Sequence, residues 1–207
     1  MKNRDPLTEL TPSHFGLMNL PKEFWDASVD EIPEKARSQI KHYCSQIDSM
    51  FEKGMSIQFM GPKGSGKTSA AVVVAKIFRM NFYPVYFTSL VDLKEAAKTR
   101  YDFTAKASPL TLCRSIEVLI LDDLTFLDAT DRFFNSNNLR DLLVSRGQQK
   151  KVTLLTSSDE DAKAYKAVPA VAGALGRYFL DLSIEGPDRS KDVRAENKKQ
   201  AFGLKTS

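Results

Sequence analysis

Residues 61–68 read Gly-Pro-Lys-Gly-Ser-Gly-Lys-Thr, and no other stretch of the chain restricts its fold so tightly. Gly64 and Gly66 let the backbone curl with its N–H groups turned inward and no Cβ in the way, so an anion can approach closely. The five residues before the loop, Ser-Ile-Gln-Phe-Met at 56–60, form an apolar run of strand length. The residues after it, Lys67 to Arg79, are rich in Ala and Val and predict a helix. A buried strand, a glycine loop and a helix whose N-terminal dipole faces that loop together form a seat for phosphate. In that chemistry Lys67 reaches the β and γ phosphates, and the Thr68 hydroxyl ligates Mg²⁺. Gly61, Lys63, Gly64, Ser65, Gly66 and Ser69 complete the contacting set. The implied ligand is a nucleoside triphosphate. ATP is favoured because the chain has no Asn/Thr-Lys-x-Asp guanine reader.

Downstream, apolar runs alternate with helical patterns. Strands are expected at 84–89, 117–123, 151–158 and 178–184, in addition to 56–60. Helices are expected from Leu90 to about Tyr101, from Asn135 to Arg146, over about 160–177 with a break near Pro169, and from about Asp188 onward. Residues 102–116 hold at most a short helix, and 33–52 read as one helix stopped by Gly54. Residues 1–30 read as an irregular, partly extended arm punctuated by Pro6, Pro12 and Pro21. Its Phe24 and Trp25 need covering, either against the first helix or beside an adenine ring. Strands alternating with helices demand right-handed crossovers. The predicted fold class is therefore α/β, a P-loop NTPase whose five-stranded, mostly parallel sheet lies between helices. The expected organisation is an arm at 1–30, an ATPase core at 31–186 and a C-terminal helix or tail at 187–207.

A second element supports the phosphate reading. Val118-Leu119-Ile120-Leu121 runs into Asp122-Asp123, and an apolar strand gains nothing in packing from ending in two carboxylates. At the C-terminal edge of a parallel sheet, where ligands bind, Asp122 is expected to hold Mg²⁺ and Asp123 to orient and polarise the attacking water. Composition narrows the remainder. Hydrophobic residues at 42% supply a core, and a net charge of +4 permits nucleic-acid contact without demanding it. Cys44 and Cys113 form no CxxC pattern, and His14 and His42 lack ligand partners at metal spacing, which argues against a disulfide framework or zinc site. No apolar stretch is long enough for a membrane span, and the N-terminus lacks the core of a signal peptide; a cytoplasmic protein is expected.

The order of parts resembles an AAA+ ATPase: P-loop, one intervening strand, an Asp-Asp strand, then a strand with the polar tip Thr156-Ser157-Ser158. The local sequences resemble the DnaC/IstB-like branch, the helicase loaders and their transposition-helper relatives. The carrying segments are Asn19-Leu20-Pro21-Lys22-Glu23-Phe24-Trp25, the P-loop, residues 118–124, residues 154–158 and Leu175-Gly176-Arg177. The resemblance implies that Ser157 or Thr156 serves as the sensor of the γ-phosphate and lytic water, with Ser157 chosen as the catalytic residue. It implies that Arg177 is an arginine finger acting on a neighbouring subunit, so that the ATP state is a homo-oligomer. One of Arg189 and Arg194 is implied as a second phosphate sensor, with Arg189 preferred. Basic residues between the second and third strands, chiefly Lys98, Arg100 and Lys106, are implied to contact single-stranded DNA, with Tyr101 and Phe103 for base stacking.

The sequence departs from the family at three points. Sensor 1 is often Asn and is Ser or Thr here; the second acid is often Glu and is Asp123 here; and only 25–30 residues precede the first helix. The short N-terminal region suggests a phage or mobile-element type. The first function implied is a slow ATPase that loads or remodels a replicative hexameric helicase on single-stranded DNA. A transposition helper acting on duplex DNA and a nucleotide-binding assembly protein with little hydrolysis are the alternatives.

Overall fold

The computed structural model describes residues 7–98, 109–125 and 137–188. Its centre is a five-stranded sheet of β1 (Ser56–Met60), β2 (Val85–Ser89), β3 (Val118–Asp122), β4 (Val152–Ser157) and β5 (Phe179–Ser183). The spatial order is β2-β3-β4-β1-β5, and every pairing is parallel. In register, Ser89 lies opposite Asp122, and Met60 lies opposite both Ser157 and Ser183. The C-terminal strand ends therefore line up along one edge, directly where the P-loop leaves β1.

Alternate residues of each strand feed two separate cores, as a sheet covered on both faces requires. On one face Ile57, Phe59, Val118, Ile120, Val152 and Leu154 meet the P-loop helix α4 (Lys67–Met80). On the other, Leu119, Leu121 and Leu155 meet α5 (Leu90–Lys98), α6 (Pro109–Ser115), α7 (Asn137–Gln148), α8 (Asp159–Lys166) and α9 (Pro169–Tyr178). Pro169 opens α9 at its first turn, where a missing N–H is harmless, which accounts for the expected break in the 160–177 region.

The structure differs from the sequence expectation in two places. Residues 33–52 form two helices, α2 (Glu34–Ser45) and α3 (Ile47–Lys53), because Gln46 leaves the helical region at φ −119° and ψ 30°. The described part of the N-terminal arm is folded rather than extended. A short α1 (Pro12–Leu17) starts at Pro12, and two 3-10 turns follow at Lys22–Phe24 and Val29–Glu31. Phe15, Met18 and Leu20 are buried in the same core as α4. Phe87 N donates to Met18 O at 2.8 Å, and Asn19 Nδ2 donates to Phe87 O at 3.0 Å. The arm thus covers the outer edge of β2, which would otherwise be an open pairing template. Trp25 packs on Phe15, with ring centroids 5.3 Å apart, and Phe24 on Phe87 at 6.2 Å. Lys76 of α4 ties the arm down by donating to Trp25 O and Ala27 O at 2.6 and 2.8 Å.

Among the described residues, one fully buried charge stands behind the sheet. Arg146 near the end of α7 donates to Thr153 Oγ1 and to the carbonyls of Cys113, Ile116, Glu117 and Val152 at 2.6–3.3 Å. It staples α7 to β4 and to the segment that enters β3.

Candidate nucleotide site

The site begins at the end of β1. Gly61, Gly64 and Gly66 all have positive φ (151°, 76° and 93°), so the loop takes turns that side chains resist. At Gly61 the lack of a side chain is also a packing requirement, because a Cβ there would overlap the carbonyl of Ile184. Gly66 is the N-cap of α4, so the first N–H groups of that helix open onto the loop. Ser65 is fully buried, and its Oγ has no partner among the described residues.

Two hydroxyls, from α4 and β4, converge on one carboxylate oxygen at the end of β3. Thr68 Oγ1 donates to Asp122 Oδ1 at 2.8 Å, and Thr156 Oγ1 donates to the same oxygen at 2.7 Å. Thr156 Oγ1 in turn accepts from Asp123 N at 2.8 Å. Burial raises the pKa of Asp122, and the two threonine hydroxyls pull it back down. Asp123 has φ 52°, a left-handed backbone that Asp tolerates better than most residues. It turns out of the strand line to face a cleft of ≈ 540 Å³ that it lines with Pro62, Lys63, Lys67, Ser158 and Asp161. Lys67 Nζ rests on Pro62 O at 2.6 Å. Burial lowers its pKa, against the opposing pull of Asp123, Asp159, Asp122 and Asp161.

The donor set fits Mg²⁺ and a polyphosphate. A hydroxyl and a carboxylate held 2.8 Å apart are hard oxygen ligands, and Mg²⁺ uses one or two such ligands together with substrate phosphates rather than a full protein cage. The glycine loop and the helix start supply N–H groups for the anion.

Of the predicted residues, the structure brings together the P-loop set, Asp122, Asp123 and Thr156. Ser69 lies half-buried in the first turn of α4. Ser157 points elsewhere. The alternation of β4 puts Leu154 and Thr156 on the α4 face and Leu155 and Ser157 on the other, where Ser157 is buried and accepts from Gln58 Nε2 at 3.2 Å. Arg177 is exposed and precedes β5, at the opposite end of that strand from the P-loop. Its guanidinium lies 5.5 Å from the centre of the Tyr178 ring. Lys98 ends α5. Arg100, Lys106, Arg189 and Arg194 lie outside the described residues, as do Tyr101 and Phe103.

Sequence reasoning missed Ser158, which lines the cleft and caps α8 by accepting from Asp161 N at 3.0 Å. The Ser-x-x-Asp spacing that opens this helix was the available signal. Reasoning also missed the acidic turn it begins, Asp159-Glu160-Asp161, all three of which line the cleft.

Comparison with known proteins agrees with this geometry. The family model described as IstB-like ATP binding protein matches residues 33–167. Among solved structures, the DnaC helicase loader superposes with a TM-score of 0.66 at 22% identity, covering 79% of this chain and 99% of that one. DnaI gives a TM-score of 0.66 at 18% identity, covering 85% and 98%. AMPPCP-bound DnaA from Aquifex aeolicus gives 0.54 at 18% identity, covering 83% of this chain and 52% of that one. At these identities the likeness concerns the fold. No curated protein sequence matches this chain.

Proposed function

This chain belongs to the IstB-like ATP-binding family, within the DnaC/IstB-like AAA+ proteins, and from that premise we propose that it is an ATPase whose nucleotide cycle assembles it on DNA to place or remodel a replicative helicase. The observation that carries the ATPase reading is the convergence of Thr68, Asp122 and Thr156 beside a cleft into which Asp123 and Lys67 face. Lys67 leaves Pro62 O and binds the β and γ phosphates. Thr68 and Asp122 hold the metal. Mg²⁺, when bound, neutralises charge on those phosphates. Asp123 holds the attacking water and polarises it, while Thr156 fixes the position of both acids. The acidic rim of Asp123, Asp159, Glu160 and Asp161 makes a bare polyphosphate a poor ligand and favours the metal complex.

Arg177 is the proposed finger and acts in trans. The five residues of β5 separate it from the P-loop edge, a distance of roughly 17 Å at about 3.3 Å per residue, beyond the reach of its own side chain. An exposed arginine on one end of the subunit and an acidic cleft on the other suit a head-to-tail assembly. DNA contact through Lys98, Arg100 and Lys106, and a phosphate contact from Arg189, belong to the same proposal. Helicase loading draws support from the fold shared with the DnaC helicase loader, and single-strand binding from that shared with DnaA solved with AMPPCP and single-stranded DNA. The match to the IstB-like family favours a second reading, a transposition helper on duplex DNA. Filaments on duplex DNA in ATP, with no preference for single strands, would select it.

The test mixes Arg177→Ala and Lys67→Ala chains under ATP and DNA. Each alone is expected to be inactive. In an equal mixture roughly a quarter of the subunit contacts pair an intact loop with an intact finger, and ATPase activity returns in that proportion. No recovery, with assembly verified by sedimentation, sinks the finger in trans.

A further inference from the structure

Asp123 owes its aim to a turn that two elements hold from opposite ends. Its backbone leaves the strand line at φ 52°, a left-handed conformation that persists only where neighbours fix it. At the entrance β4 does so: Thr156 Oγ1 accepts from Asp123 N and Thr156 O from Leu124 N, both at 2.8 Å. Thr125 N closes the turn on Asp123 O at 2.8 Å, and the Leu124 side chain is fully buried. At the exit α8 does so: the Tyr165 hydroxyl donates to Thr125 O at 2.6 Å. Thr125 lines the cleft together with Asp123. Tyr165 is a rigid mount for this bond. It is buried in the core it shares with Leu121, Leu124 and Leu175, and its own carbonyl accepts from Val168 N at 3.0 Å where α8 passes into α9. Phenylalanine would pack the same ring there, so what the hydroxyl adds is the hydrogen bond. Burial raises the pKa of that hydroxyl, which keeps it a donor at neutral pH.

We infer that Tyr165 is a positioning residue for ATP hydrolysis: its hydroxyl pins Thr125, and through it the turn that points Asp123 into the cleft. The inference rests on the reading of Asp123 as the group that holds the attacking water. The phosphate and metal contacts are built elsewhere. The loop from Gly61 to Gly66 runs into α4, and Asp122 is held by Thr68 and Thr156 on the strand side of the turn. Taking away the Tyr165 hydroxyl therefore leaves nucleotide binding in place and acts on the chemical step. Thr125 O loses this donor, and the turn keeps only its anchors on β4. A left-handed residue is disfavoured for an L-amino acid, so a turn freed at its exit relaxes and carries the Asp123 carboxylate with it. A displacement of about 1 Å at the reacting groups costs up to about 100-fold in rate. Tyr165 thus sets kcat from within the core, acting through Thr125 rather than on the nucleotide.

The experiment compares the full chain with Tyr165→Phe, which keeps the ring and removes the donor. Single-turnover hydrolysis of radiolabelled ATP with Mg²⁺ reads the chemical step, and titration with fluorescent ATP reads binding. We expect hydrolysis to fall about 10-fold or more, with the Kd for ATP within about 2-fold of the parent. Unchanged hydrolysis overturns the inference. So does a loss of ATP binding as large as the loss of rate, because the hydroxyl then supports the fold as a whole rather than the turn. A double-mutant cycle reads the route. Asp123→Asn alone removes most of the hydrolysis, and adding Tyr165→Phe to it takes away nothing further, since Tyr165 acts only through the turn that carries residue 123. A second, independent loss of about 10-fold in the double variant overturns that route and the inference with it. The same cycle separates the layers. If Asp123→Asn leaves hydrolysis intact, the reading of Asp123 fails and the inference falls with it. If Asp123→Asn abolishes hydrolysis while Tyr165→Phe changes nothing, only the present inference fails.

Discussion

Arg146, near the end of α7, and Asp122, at the end of β3, lie on opposite faces of one sheet, and both are largely removed from water. Arg146 is saturated. Its hydrogen bonds end on four main-chain carbonyls and one hydroxyl, groups that cannot move without dismantling β4 or the entry to β3. Burial pushes its pKa down to about 10, still far above neutrality, so it remains charged. Asp122 is held by two hydroxyls that rotate, one from α4 and one from β4. Burial raises its pKa, so holding the charge costs stability. A buried charge whose partners are fixed is a structural staple. One whose partners can exchange a proton or a ligand is a site.

The largest effect should come from breaking the staple. Arg146→Leu removes the guanidinium bonds to four carbonyls and to Thr153 Oγ1 in the interior and is expected to destabilise the fold by about 3–5 kcal/mol. That corresponds to a drop in melting temperature of roughly 8–15 °C. Arg146→Lys recovers only part, because an ammonium cannot reach all five acceptors. A loss below about 1 kcal/mol in urea titration would mean that the saturation counts for little.

Asp122→Asn should act in the opposite sense on stability while removing function. Asn keeps an oxygen to accept from Thr68 and Thr156 but carries no charge to desolvate. Without nucleotide or Mg²⁺, the variant should be more stable than the parent by roughly 0.5–2 kcal/mol at pH 7. ATP hydrolysis should fall about 100-fold or more. The sign of the pH dependence follows from the raised pKa. The native state of the parent binds the Asp122 proton more tightly than the unfolded chain, so the parent gains stability as pH falls toward the ordinary carboxylate value of 3.8. The advantage of the variant therefore narrows on acidification. Chemical denaturation of both proteins across that range checks it, and a constant difference would break the contrast with Arg146.

These two charges also mark where the sequence was legible. Asp122 was visible because two acids at the tip of an apolar strand have no packing reason to be there. The strands themselves were visible as apolar runs bounded by turn residues, and the observed β1 spans the expected Ser56–Met60. Arg146 looked like any basic residue near a helix C-terminus, where the dipole welcomes a cation. Only the fold brings Cys113 O, Ile116 O and Val152 O to it. The arm was illegible for a related reason. Phe15, Met18 and Leu20 are spaced over too few residues to show a period, and their partners Phe87 and Lys76 lie more than fifty residues downstream. The polar tip of β4 was legible as polar but not in its facing. Both faces of that strand are buried, so hydrophobicity does not tell which of Thr156 and Ser157 turns toward α4.

That facing supplies the smallest and sharpest test. Gln58 and Ser157 form a third buried polar pair, on the face of the sheet opposite α4. It has neither the saturation of Arg146 nor the openness of Asp122. Gln58 Oε1 has no partner among the described residues, so the pair is a weak staple. Replacing both members together, Gln58→Met with Ser157→Ala, removes donor and acceptor at once and should change stability by less than about 1 kcal/mol. Ser157→Ala alone should leave ATP turnover within about 3-fold of the parent, since its hydroxyl does not face the cleft. Thr156→Val keeps the shape of the side chain but takes a hydrogen bond from Asp122 and the acceptor of Asp123 N. Its turnover should fall about 10-fold or more. Single-turnover hydrolysis measured for the two variants decides between them. If Ser157→Ala proves the more damaging, the sensing hydroxyl is Ser157 after all, and β4 must change its facing at the tip when nucleotide binds.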